Sequence, residues 1–384
     1  MKTDIIENEK KINLHVLFAY FLSLALFVVL RICGSCGLFS FLGIYGSYFL
    51  SLFTQLGIIL FVPLIIFTLS TRSKVRDVLK FCSFKKISWK VLLISFALGL
   101  VIFLLNNYVS SFFNSIIQAF GYKPSSGGGA ELPATWWTLI LDLICTAVLP
   151  AFAEEVLHRG LLLNGVSMMG MKKSILISGA LFGLFHLNIE QCFYAIIIGF
   201  FLGYLCYISC SIYPCIIVHF MNNATSVFLS FARDKGWAIG NVLSYFVKSI
   251  SQNTFLGLVI YVLIFVLLVM IVLKMIKFIM KETFQYTFVK NQKEITNQLI
   301  RQNFYQEIDN IKNNNMIVQQ QRVFNIDFKD IFEFIQKNKD EIQQDDKEFF
   351  DNFKLDFRAK ILLWGSFALS IILTVMTFIW GLLR

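Results

Sequence analysis

Residues 149–160 read Leu149-Pro150-Ala151-Phe152-Ala153-Glu154-Glu155-Val156-Leu157-His158-Arg159-Gly160, and they close an apolar run that begins at Trp136. The run from 136 to 157 has the length of about 20 residues that crosses a bilayer. Three charges at the centre of a lipid-facing helix would cost roughly 8 to 10 kcal/mol, at about 2.5 to 3.5 for each on insertion scales. They must therefore face protein or water, which requires other helices around this one. Helical spacing orders the group: Glu155 and Arg159 lie four apart and share a face, as do Glu154 and His158, with about 100° between the two faces. One carboxylate is paired and the other stays available.

Outward from this stretch the chain supplies the neighbours. Apolar runs cover 13–32, 48–70, 91–114, 174–188 with a continuation to 208, 213–232, 254–280 and 360–383. With 57% hydrophobic and 15% charged residues in 384, the composition excludes a soluble globule and intrinsic disorder alike. The fold class is all-α, a polytopic transmembrane bundle of eight or nine helices, the region 174–208 deciding between the two numbers. Residues 1–282 form the membrane domain and 359–384 a C-terminal transmembrane helix.

The formal charge of +10 is distributed as topology. The segment 71–90 carries Arg72, Lys74, Arg76, Lys80, Lys85, Lys86 and Lys90, whereas the loop from Ser125 to Leu132 has no basic residue. Basic loops stay in the cytoplasm, so the first loop is inside and the second outside. With two helices in 174–208, the N-terminus, Lys172, Lys173 and the stretch after Lys274 all fall inside, which makes nine crossings self-consistent. Membrane lipids are the partner of this charge, and nucleic acid is not. The stretch 283–358, with 21 Asn and Gln, reads as a cytoplasmic insert, part helical and part disordered. Gly127-Gly128-Gly129 reads as a flexible connection. Of the eight Cys most lie in or beside apolar runs, where Cys acts as a small hydrophobe; Cys33 and Cys36 form an isolated CxxC at the outer end of the first helix, suited to a disulfide or a redox pair.

Two further polar interruptions matter. Phe182-Gly183-Leu184-Phe185-His186 ends the fifth run, and His219-Phe220-Met221-Asn222-Asn223 breaks the next but one. Three of the chain's four His fall in these three segments; His15 is the exception and reads as a packed or interfacial residue. A carboxylate and two imidazoles converging in a low-dielectric cavity have two chemistries open to them. They can ligate a metal with water in the open position, Glu154, His186 and His219 being the candidate ligands. Alternatively, a carboxylate activates water while His and Asn donate to the oxyanion formed on a carbonyl. Both describe hydrolysis of an amide or ester.

The ordered set Glu154-Glu155-x-x-x-Arg159, Phe182-x-x-x-His186 and His219-x-x-x-Asn223 resembles the signature of the CPBP family. Its members are intramembrane proteases that include type II CAAX prenyl endopeptidases and bacteriocin-processing and self-immunity proteins. The resemblance covers about residues 130–230. It implies that Glu154 activates water with His186, that His219 and Asn223 stabilise the oxyanion, and that Glu155 and Arg159 form a supporting pair. It leaves no cofactor certain, zinc being the alternative. It implies a membrane-associated peptide or protein as substrate and a multi-pass protein of the bacterial cell membrane with a cytoplasmic N-terminus. His158 departs from the pattern, where an aromatic residue is usual, and adds a candidate ligand or proton carrier beside Glu154. The alternative functions are a non-catalytic binding, immunity or regulatory protein of the same fold, and a transporter.

Overall fold

The computed structural model of the chain describes residues 2–124, 132–241, 254–312 and 354–383. Those residues contain helices and no strand. We number them α1 (Lys2–Ser35), α2 (Ser40–Thr71), α3 (Val75–Phe81), α4 (Trp89–Ala119), α5 (Trp136–Gly165), α6 (Met171–Leu184), α7 (Ile189–Ser209), α8 (Tyr213–Asp234), α9 (Thr254–Lys312) and α10 (Phe357–Leu383). Eight of these are long and apolar enough to cross a membrane. Side chains such as Leu69, Leu93, Leu263, Ile372 and Met376 are more than half exposed on their outer faces. A soluble monomer rarely leaves so much apolar surface uncovered, and this is a multi-pass membrane protein.

The ambiguous region resolves into a hairpin, α6 and α7. Helix α6 has 14 residues and is about 21 Å long at 1.5 Å per residue, short of a full span. Its two ends nevertheless lie at opposite ends of the bundle. At one end Ser174 beside the start of α6 bonds Val166 O, Asn164 Nδ2 reaches Phe81 O at 2.7 Å, and Ile212 N donates to Ser83 O at 3.0 Å. At the other, Ile189 N donates to Thr377 Oγ1 at 3.1 Å and Lys123 N to Gly381 O at 3.0 Å. The first end carries the basic loop 71–90; we call it the basic end.

Local signals set the boundaries. Ser88 caps α4 by accepting from Lys90 N, Thr135 and Thr138 form a reciprocal capping box at the start of α5, and Asn188 caps α7 through Glu190 N. The hairpin closes tightly because Gly179 and Gly183 on α6 meet the backbone of α7: a Cβ on Gly183 would sit 2.4 Å from Ile196 N, and one on Gly199 2.5 Å from Gly179 O. Small residues four apart permit this approach of two helices in lipid.

Two helices contain stretches of wider π-helical winding that directly precede a proline: Phe53–Phe61 before Pro63 in α2, and Leu143–Val148 before Pro150 in α5. Proline has no N–H for the carbonyls a turn behind it and crowds them. Those carbonyls take side-chain donors instead, Ile58 O from Ser23, Cys145 O from Ser51 and Thr146 O from Asn223.

Apolar contacts gather in two clusters. One joins α1, α2, α5 and α10 through residues such as Leu17, Ile59, Leu157 and Leu363; the other joins α4, α7, α8 and α9 through Leu98, Leu202, Val218 and Ile279. Helix α9 continues past residue 283 without a break to Lys312. The remainder of the Asn/Gln-rich insert, 313–353, and the loop containing Gly127-Gly128-Gly129 lie outside the described residues. Cys33 and Cys36 are both free thiols.

Candidate active site

Between the two clusters lies a cavity of about 710 Å³ that reaches Glu154, His186, His219 and Asn223, from α5, the end of α6 and α8. The four residues that the motifs single out for chemistry thus share one space. Glu155 and Arg159 do not line it. They are completely buried behind it, as an ion pair of 3.0 Å between Arg159 Nη1 and Glu155 Oε1.

That pair is tied to both neighbouring helices. Arg159 Nη2 donates to Gly199 O on α7 at 3.0 Å, and its guanidinium stacks over the Phe182 ring, 4.3 Å from the centroid. His219 Nδ1 lies 2.8 Å from the same Glu155 Oε1. A carboxylate oxygen can only accept, so Nδ1 carries the proton and Nε2 is the nitrogen left for the cavity. Phe182 also packs edge-on to His186 and His219, at centroid distances of 5.4 and 5.7 Å. One aromatic ring thereby sets the positions of the Arg and both imidazoles.

His186 Nδ1 donates to Phe182 O at 3.0 Å, four residues back, which leaves Nε2 as an acceptor. The orientation of Asn223 is fixed from two sides: it donates to Thr146 O at 3.0 Å and its Oδ1 accepts from Asn222 Nδ2 at 2.8 Å. The second hydrogen on Asn223 Nδ2 remains for a ligand. The Thr146 carbonyl is available because Pro150, four residues on, has no N–H for it.

Glu154 is half-buried, and its Oε1 accepts from Gln55 Nε2 of α2 at 2.9 Å. Spacing and motifs miss Gln55, although it is the one amide in the apolar run 48–70. They also miss Asn222, Asn106 and Arg31, which line the same cavity. His158 takes a different place from the one its spacing suggests. It is fully buried, donates from Nδ1 to Glu154 O at 2.8 Å, and faces Tyr20 OH at 3.4 Å; it lies among Tyr20, Phe182 and Phe185 rather than in the cavity. It packs where an aromatic residue would.

For a metal, three side chains must reach one ion. Among the described residues no three His, Cys, Asp or Glu are gathered closely enough to do so. Glu154, His186 and His219 share the cavity without forming such a set, and as arranged they do not fit a zinc ion.

What this arrangement offers to a peptide carbonyl is a carboxylate with a free oxygen, two imidazole Nε2 atoms and one amide N–H at the wall of a shared cavity. The comparisons with known proteins agree in kind. No curated protein and no solved structure matches the chain. Residues 135–225 match the family described as type II CAAX prenyl endopeptidase Rce1-like, and that stretch contains all seven motif residues from Glu154 to Asn223. The match falls on the stretch that carries the three motifs and supports the family resemblance read from them.

Proposed function

We propose that the protein is an intramembrane endopeptidase of the glutamate type, acting on a membrane-associated peptide or protein. The observation that carries this reading is the shared cavity of Glu154, His186, His219 and Asn223. Glu154, held by Gln55 through one oxygen, takes a proton from water with the other as the water oxygen adds to the peptide carbonyl. His186 Nε2 accepts the water's other hydrogen and so orients it, and Glu154 then delivers the proton it has taken to the leaving amine. The oxyanion receives hydrogen bonds from the second N–H of Asn223 and from His219 Nε2 when that nitrogen is protonated. Glu155 fixes the His219 ring so that Nε2 faces the cavity, because its Oε1 accepts from Nδ1 while pairing with Arg159. The peptide bond is broken with addition of one water, and no further co-reactant is needed.

The basic end of the bundle is read as cytoplasmic, since it carries the seven Lys and Arg of 71–90 together with Lys172 and Lys173. On this reading we take the N-terminus to be inside and the membrane to be that of a bacterial cell.

The test is a comparison of cells expressing the wild-type chain with cells expressing Glu154→Gln, followed by turnover measurements on the purified, detergent-solubilised protein. Peptides released in a Glu154-dependent manner identify the substrate. Cleavage should be lost in Glu154→Gln and in His186→Ala while both variants elute and melt like the wild type. Undiminished cleavage by either variant overturns the assignment.

A further inference from the structure

The catalytic cavity is not closed equally at its two ends. Toward the basic end its wall is made of buried side chains, Ile102, Phe182, Val218 and His219. In the other direction the lining residues Arg31, Thr146, Gln191 and Ser226 are exposed. Their places along the helices agree: Arg31 is four residues from the end of α1, Gln191 two from the start of α7, and Ser226 seven past His219 toward the end of α8. All three sit on the half of the bundle that ends at Lys123, Ile189 and Gly381, away from 71–90.

A second cavity of about 470 Å³ begins where the first ends. The two share Thr146 and Ser226, and the second continues past Asp142 and Tyr48 to Arg233 and Asp234 at the end of α8. The sequence of side chains from Glu154 outward is therefore polar and increasingly charged, as a water-filled passage requires. Toward the basic end the same level of the bundle is filled by the second apolar cluster, including Leu98, Leu202 and Val218.

We infer that the site opens on the non-cytoplasmic face and accepts its substrate from there: an extended, hydrated polypeptide segment that is exported or stands outside the membrane, rather than the tail of a cytoplasmic protein. The substrate half of this statement rests on the hydrolytic reading of Glu154. The direction of the opening rests only on the cavities and on the placement of basic residues. The aqueous walls suit a peptide backbone, and Arg31 with Arg233 supplies cations along the route that an acidic group on such a segment would meet.

Two native thiols report the orientation without added probes. Cys36, just past α1, is exposed at the open end, and Cys210, between α7 and α8, is exposed at the basic end. Cys82, Cys145, Cys192, Cys206 and Cys215 are buried, and burial pushes the Cys82 thiol up to about 12, so it stays unreactive. The full-length chain, in intact cells, is treated with a membrane-impermeant sulfonated maleimide before and after permeabilisation. Replacing Cys33 and Cys36 together with Ser should lose the labelling seen in intact cells, and Cys210→Ser should lose the labelling that appears only on permeabilisation. Ser226→Cys, placed in a chain lacking Cys33, Cys36 and Cys210, should react in intact cells. Labelling of Cys210 from outside, or of Ser226→Cys only after permeabilisation, overturns the inference. None of these measurements needs turnover, so an inactive protein with an outward mouth and an active one with an inward mouth are told apart.

Discussion

Gly183→Ala is the most direct test of how the α6–α7 hairpin holds the site. The new Cβ would lie 2.3 Å from Ile196 Cγ1, 2.4 Å from Ile196 N and 2.7 Å from Cys192 O. Two of those three atoms are backbone and cannot rotate away. Cβ atoms essentially never approach closer than 3.0 Å, and ordinary contact begins at 3.4 Å, so α6 must move from α7 by about 0.6 to 1 Å. Phe182 precedes Gly183 on the same short helix and His186 follows two residues past its end, so both move with it. A misplacement of about 1 Å in a catalytic arrangement costs on the order of a hundredfold in rate, and overpacking of this kind costs about 1 to 3 kcal/mol of stability. The assay is turnover of the Glu154-dependent substrate alongside a thermal melt in detergent. Gly203→Ala on α7 is the control, because its Cβ meets its nearest neighbour, Ile175 Cγ2, at 3.4 Å and nothing has to shift. Wild-type turnover and melting in Gly183→Ala would refute the claim that close helix contact positions the imidazole.

The other expectations divide chemistry from support. Asn223→Ala should lower kcat by about a hundred- to a thousandfold with little change in KM, the loss typical of one oxyanion donor, as steady-state kinetics would show. Glu155→Gln or Arg159→Met should lower stability by about 3 to 5 kcal/mol, because each leaves a buried charge without its partner; chemical denaturation in micelles measures this, and unchanged midpoints would contradict it. Arg159→Lys should also destabilise, since an ammonium cannot bond Glu155 and Gly199 together while stacking on Phe182. Chelation of the purified protein should leave turnover intact; loss on chelation with recovery on added zinc would place a metal in the mechanism.

Much of the site is legible from spacing alone, because residues four apart on a helix share a face whatever surrounds them. Glu155 and Arg159 pair as that rule requires, and Phe182 lies against His186 for the same reason. Contacts between distant segments carry no such signal. Gln55 meets Glu154 across 99 positions, and only its isolation in an apolar run marks it in the sequence. The same periodicity that pairs Glu154 with His158 says nothing of which way the ring turns, and here it turns into the packed interior toward Tyr20. The 174–208 region is ambiguous in sequence because α6 is shorter than a bilayer is thick, so length does not distinguish one interrupted helix from two. Pro150 is visible throughout, but its effect on Asn223 depends on α8 passing beside Thr146, which is a tertiary fact.

The stretch that matches the Rce1-like family stops at residue 225, yet the first turn of α7 is pinned by Thr377 near the far end of the chain, and Glu154 is gripped from residue 55. An excised fragment of 135–225 would carry every motif and still lack the grip on its acid and the clasp on its hairpin. The smallest piece able to hold this arrangement is accordingly most of the polypeptide.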